Sequence, residues 1–158
     1  MDMPKPAREH EWLRRLVGEW TYEGEMKIGD MEHSSSGTET IRALGDLWTI
    51  GEMSGQMPGS DTVSKSVITL GYDLTKKKFV GSFVSDMMDS MWTYEGTLKG
   101  DVLTLDTVGM SFKGDGSTAP YQDIVEIRSD DEYVLSSQTK GDDGSWTKFM
   151  TMTFRRKK

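Results

Sequence analysis

Gly18-Glu19-Trp20-Thr21-Tyr22-Glu23-Gly24-Glu25-Met26-Lys27-Ile28 decides how this chain folds. Its period is two. Trp20, Tyr22, Gly24, Met26 and Ile28 fall on one face, and Glu19, Thr21, Glu23, Glu25 and Lys27 on the other. Alternation of this kind marks an antiparallel strand with one packed and one wet face.

The period differs on the N-terminal side. Residues 6–17 form the one good helix candidate: Pro6 suits a first turn, and Trp12, Leu13, Leu16 and Val17 cluster on one side. Gly18 is expected to end this helix in a left-handed conformation. On the C-terminal side, short alternating runs follow one another without a helical interruption. Together with 18–28 they predict ten strands, at 37–44, 47–57, 62–72, 78–85, 91–98, 102–107, 121–128, 132–139 and 146–156. The expected fold is all-β: an up-and-down antiparallel barrel of about ten strands. Closure removes the exposed edges, and the short N-terminal helix plugs one end. The 158 residues fit one domain, 1–158, with the helix at 6–17 and the barrel at 18–156.

Connection lengths divide the predicted barrel into two ends. Gly45-Asp46, Asp73 to Lys77, Lys99 to Asp101 and Ser129 to Asp131 are tight. Gly29 to Ser36, Pro58 to Asp61, Asp86 to Ser90 and Val108 to Pro120 are longer, with Gly141 to Gly144 a short exception. The helix enters at the tight-turn end, so the other end is expected to be an open mouth.

Composition limits the function. Lys and Arg number 19 against 26 Asp and Glu, a net charge of −7, which disfavours nucleic acid and anionic membrane surfaces. The absence of cysteine removes disulfides, zinc–thiolate sites and a cysteine nucleophile. No apolar segment begins the chain or reaches spanning length, so no membrane association is expected and a cytoplasmic protein is the default. The 12 methionines, 5 tryptophans and 5 tyrosines supply the large side chains of a core.

Gly18-Glu19-Trp20 opens the first strand, with Trp20 expected to seal the barrel floor. An arginine of the last strand can stack on its indole; parity selects Arg156, and Arg155 is the alternative if a bulge intervenes. With the meander, this resembles the calycin superfamily, the lipocalins and their relatives. Gly71-Tyr72-Asp73, Lys78-Phe79-Val80-Gly81, Met87-Met88 and Trp92-Thr93-Tyr94-Glu95-Gly96-Thr97-Leu98 resemble a family of bacterial proteins, the domain of unknown function numbered fifteen-seventy-nine. Glu9-His10-Glu11-Trp12-Leu13 and Leu16-Val17-Gly18-Glu19-Trp20 resemble its opening. The resemblance implies a calycin-like fold and no reaction.

Two features point to a ligand. Met31, Met57, Met87, Met88 and Met110 fall at the expected mouth, with Met91 beside them. They form either a pliable apolar rim, a cluster of their own or a homodimer contact. Tyr22, Met26, Met53, Trp92, Tyr94, Leu98 and Met150 share inward parity, interleaved with Gly24, Gly51, Gly55, Gly81 and Gly96. The glycines either leave space for a guest or serve curvature. The expected ligand-binding residues are therefore Tyr22, Met26, Met53, Met87, Met88, Trp92, Tyr94 and Met150, and the expected partner is an apolar or aromatic small molecule.

Catalytic and metal constellations are not expected. A haem barrel of the nitrobindin type needs an axial ligand in the cavity, but His10 falls in the plugging helix, as a surface residue, and His33 in a loop. No triad and no phosphate loop is signalled. Asp130-Asp131-Glu132 and Asp142-Asp143 read as solvated turns, and Lys76 to Lys78 and Arg155 to Lys158 as a solvated turn and a charged tail. Glu39 and Glu52 face inward only if the parity of their strands shifts. An enzyme of decarboxylase, isomerase or cyclase type, or a structural homo-oligomeric module, is the alternative to a binding protein.

Overall fold

The computed structural model describes residues 2–56 and 60–158. One helix, α1 (Arg8–Arg14), precedes ten strands: β1 (Gly18–Ile28), β2 (Met31–Leu44), β3 (Trp48–Gln56), β4 (Val63–Asp73), β5 (Lys78–Ser85), β6 (Trp92–Lys99), β7 (Val102–Met110), β8 (Thr118–Ser129), β9 (Glu132–Lys140) and β10 (Trp146–Arg156). Each strand pairs antiparallel with its sequence neighbour, and β1 pairs with β10 to close the barrel. Met57, one of the expected rim methionines, lies outside the described residues.

The floor is built from the helix and the start of β1. Trp12, Leu13 and Leu16 are buried against the barrel end. The Trp12 indole and the Arg15 guanidinium both donate to Asp101 Oδ1, at 3.1 and 2.8 Å, and Arg14 pairs with Asp46 at 2.6 Å. These acids sit in the β6–β7 and β2–β3 turns, so the helix is pinned across the tight-turn end. Trp20 is 1% exposed and donates its indole N–H to the Leu16 carbonyl at 2.9 Å. The Arg156 guanidinium lies over its ring at 4.3 Å, and Tyr133 meets it edge-on at 4.8 Å. Arg156 also donates to the carbonyls of Arg15, Val17 and Asp130, which closes the seam where the sheet's ends meet.

Several expectations need correction. The helix is shorter than 6–17 and stops before Gly18, which opens β1 at a φ of +144°. A Cβ there would collide with the Arg156 guanidinium, so this glycine makes room for the clamp and does not cap the helix. The stretch from Gly29 to Ser36 is no loop: Ile28 pairs with Met31 across the turn Gly29-Asp30. The β7–β8 connection is likewise shortened to 111–117. Hairpin pairing supplied backbone partners that the Ser- and Gly-rich composition had hidden. His33 consequently sits on β2, opposite Met26 and in phase with Glu39. The ground for setting it aside as a loop residue therefore falls. His10 is buried, with Nδ1 accepting from Ala7 N and Nε2 3.0 Å from the Tyr72 carbonyl oxygen, so it is no surface residue. The bulge in β10 lies between Lys148 and Met150, far from the floor, so Arg156 keeps its phase opposite Trp20. Arg155 points outward and pairs with Glu23 at 2.6 Å.

Around the floor, the inward side chains Phe79, Leu103, Leu105, Ile127 and Phe154 are buried. From mid-height toward the mouth the inward side chains Met26, Met53, Ile68, Phe83, Leu135 and Met150 are only partly buried. In a closed barrel such surface can face only the lumen or the mouth, so packing does not fill the interior to its rim. The outer wall is mostly polar, with cross-strand pairs such as Gln122–Asp106. Among the described residues no helix is long and apolar enough to cross a membrane.

Replacing Arg156 by Lys leaves the charge but removes the planar fork that reaches three carbonyls. We expect a loss of about 2 kcal/mol in urea unfolding, against less than about 1 kcal/mol for Arg155→Lys on the exposed face. Equal midpoints for the two variants would remove the clamp from this account.

Candidate functional site

The lumen carries two carboxyl groups, each tied to a tyrosine. Glu39 stands between Gly37 and Ile41 on β2 and faces in without any shift of parity. Glu52 faces out and is exposed beside Arg42. Glu39 is 3% exposed, and Tyr133 of β9 donates its hydroxyl to Oε1. Oε2 accepts no hydrogen bond from the described residues and lies over Gly51, where a Cβ would stand 2.9 Å from it. Burial lifts this carboxyl from 4.5 to about 7, partly offset by the Tyr133 hydrogen bond.

Asp123 of β8 is the second. The Tyr94 hydroxyl donates to Oδ2 at 2.5 Å and the Ser137 hydroxyl to Oδ1 at 2.6 Å. Burial raises this carboxyl above the usual range, and the two hydroxyls partly offset it. Asp123 retains accessible surface although it faces inward, as expected where a lumen reaches it. Thr107 follows Leu103 and Leu105 in the inward phase of β7 and lies opposite Tyr121. Its hydroxyl is buried and has no hydrogen-bond partner among the described residues.

The expected ligand-binding residues divide into three groups. Met26, Met53 and Met150 lie on the inner wall, partly buried. Tyr22 and Tyr94 are also inward but fully packed. The Tyr22 hydroxyl fills the recess left by Gly37 and Gly55, and the Tyr94 hydroxyl is committed to Asp123, so neither is free to orient a guest. Glycine thus makes space here for side chains of the wall itself. Trp92 lies over Gly109 at the rim, edge-on to Tyr121 at 5.1 Å, and its indole donates to Met88 Sδ at 3.1 Å. Phe112 from the β7–β8 connection packs on Tyr121 and on Phe149, and Lys113 pairs with Asp142 at 2.7 Å. Met87, Met88, Met91 and Met110 are exposed around this aromatic edge.

Sequence reading missed Asp123, Thr107 and Ser137. Their signal was present for Asp123: an acid stands in the inward slot between Tyr121 and Val125, in a phase otherwise apolar through Ile127. Among the described residues no group of three or more His, Cys, Asp or Glu side chains is placed to hold a metal ion.

Glu39 gives the fold a pH dependence. Its folded value lies above its unfolded one, so the folded chain keeps a proton that the unfolded chain releases. Its favourable contribution is complete below 4.5 and is lost as pH rises through about 7. Unfolding free energy should therefore fall by about 3 kcal/mol across that window, and Glu39→Gln should flatten the slope. An identical slope in the variant would contradict the assignment.

No curated protein matches the sequence. Solved structures share the barrel. Rv2717c from M. tuberculosis is 11% identical with a TM-score of 0.64, covering 98% of this chain and 100% of that one. The S-type phycobiliprotein lyase CPES from Guillardia theta is 14% identical with a TM-score of 0.63, covering 95% and 93%. A de novo designed fluorescence-activating β-barrel is 14% identical with a TM-score of 0.50, covering 91% and 95%. At these identities the likeness shows the fold alone, a lipocalin-like barrel. With a family model matched over residues 5–156, the chain belongs to the protein family of unknown function DUF1579.

Proposed function

We propose that this protein binds an apolar or aromatic small molecule in its barrel lumen, entering between the methionines and aromatic rings of the rim. The observation that carries the reading is the ring of inward, partly buried side chains above a sealed floor: Met26, Met53, Ile68, Phe83, Leu135 and Met150. A ten-strand barrel is wide enough to enclose a small ligand. Met53 and Met150 offer flexible apolar contact, and Trp92 with Met87 and Met88 stands at the entrance. A phycobiliprotein lyase and a designed fluorescence-activating barrel share this fold, which supports the reading by analogy of fold. A homodimer formed through the same rim would cover the entrance, so guest binding and self-association would compete. We place its work in the cytoplasm, on the sequence alone.

A second reading, an enzyme on the same barrel, is favoured by one observation: a raised carboxyl, Asp123, held by the hydroxyl of Tyr94. A poised carboxyl in a cleft suits proton transfer.

The neutral apolar dye N-phenyl-1-naphthylamine should bind saturably, with a rise in its emission. Leu135→Trp, which fills the middle of the lumen, should weaken it at least tenfold while the circular dichroism stays that of the parent. Met3→Ser, at the exposed N-terminal segment, should leave it unchanged. Unsaturable binding, or equal affinity in the Leu135 variant, would overturn the reading.

A further inference from the structure

The lumen's inward acids lack a lysine or arginine counterpart. Among the described residues, the inward positions of the ten strands carry Glu39 and Asp123 as acids. Arg156 is the one inward-phase residue with a permanent positive charge, and it lies beneath Trp20, spent on three backbone carbonyls. His33 stands at the mouth end of β2, opposite Met26. No lysine or arginine among the described residues waits in the lumen for a carboxylate or a phosphate.

Asp123 is built to receive something more. A carboxylate offers about four lone-pair positions, and Tyr94 and Ser137 occupy two. Beside it stands the independent sign of a missing partner: the Thr107 hydroxyl, on a residue 8% exposed, makes no hydrogen bond with the described residues. Thr107 belongs to β7, next to β8, and lies in the inward phase opposite Tyr121, two residues from Asp123. An unmet buried hydroxyl normally finds a partner in protein, water or ligand. The surrounding wall is aromatic and apolar, from Trp92 and Tyr121 above to Leu105 and Val125 below.

We propose, resting on the binding reading above, that the guest is an aromatic amine: its protonated nitrogen donates to Asp123 and pairs with the Thr107 hydroxyl, while its rings lie on the apolar wall toward Met150. The same site rejects fatty acids and other carboxylates, since a second buried anion would face Asp123 with no compensating cation.

The test is a ligand series on one ring system, read by displacement of N-phenyl-1-naphthylamine: 2-naphthylmethylamine, 2-naphthylmethanol and 2-naphthoic acid. The amine should displace the dye at a concentration at least tenfold below the alcohol, and the acid should need at least tenfold more than the alcohol. Asp123→Asn should abolish the preference for amine over alcohol, read as the ratio of the two displacing concentrations within that variant. Thr107→Val should weaken the amine severalfold relative to the alcohol within that variant. An amine no better than the alcohol, an acid that competes as well as either, or a preference that survives Asp123→Asn overturns the proposal. The wild-type series decides even if a variant fails to fold. Dye binding without amine preference sinks this inference and leaves the binding reading standing; absence of dye binding sinks both.

Discussion

The clamp on Trp20 is the constraint on which the rest of the barrel depends. A ten-strand sheet closes only if its first and last strands meet in register, and here that register is fixed where Trp20 faces Arg156. The indole is held from three sides: by the guanidinium, by the edge of Tyr133 and by the Leu16 carbonyl. Cation–π contact contributes about 0.5–2 kcal/mol. The larger part comes from burying the indole and from satisfying the carbonyls of Arg15, Val17 and Asp130, which the seam would otherwise leave unpaired. Sealing this end with large side chains leaves the opposite half free to be loosely filled.

The architecture is legible because period-two patterning is strong in β1, β6 and β7, and because Gly18, Trp20 and Arg156 stand at positions with a mechanical purpose. Their pairing follows from parity, and the single β10 bulge lies too far away to disturb it. Legibility failed where composition imitated a loop. Gly29 to Ser36 reads as a connection, yet its backbone pairs along β1, and Gly37, which follows it, leaves the Tyr22 hydroxyl a place to lodge. That error moved His33 from strand to loop.

The site was less legible than the fold. Alternation says which side chains turn inward, so Met53, Tyr94 and Met150 were accessible to it. It does not say which of them are spent on each other. Tyr94 is consumed by Asp123, and Tyr133 by Glu39, through contacts between strands that are not sequence neighbours. Glu39 shares the phase of Gly37 and Ile41, so it turns inward without a shifted strand, and an inward acid contradicts an apolar phase. The structure resolves the contradiction by giving each acid a tyrosine donor, and by setting Gly51 beneath Glu39. Buried acids held this way carry a cost in stability, which singles them out as features a purely structural barrel does not need.

Binding in the lumen requires that the upper half of the barrel be an accessible hollow. Methyl-labelled methionine spectra recorded during titration with N-phenyl-1-naphthylamine test this directly. The methyl signals of Met53 and Met150, on the inner wall, are expected to shift in step with binding while that of Met3, exposed near the N-terminus, does not. Shifts confined to the exposed Met87, Met91 and Met110, with Met53 and Met150 unmoved at saturation, would show a guest held outside a solid core and would contradict it.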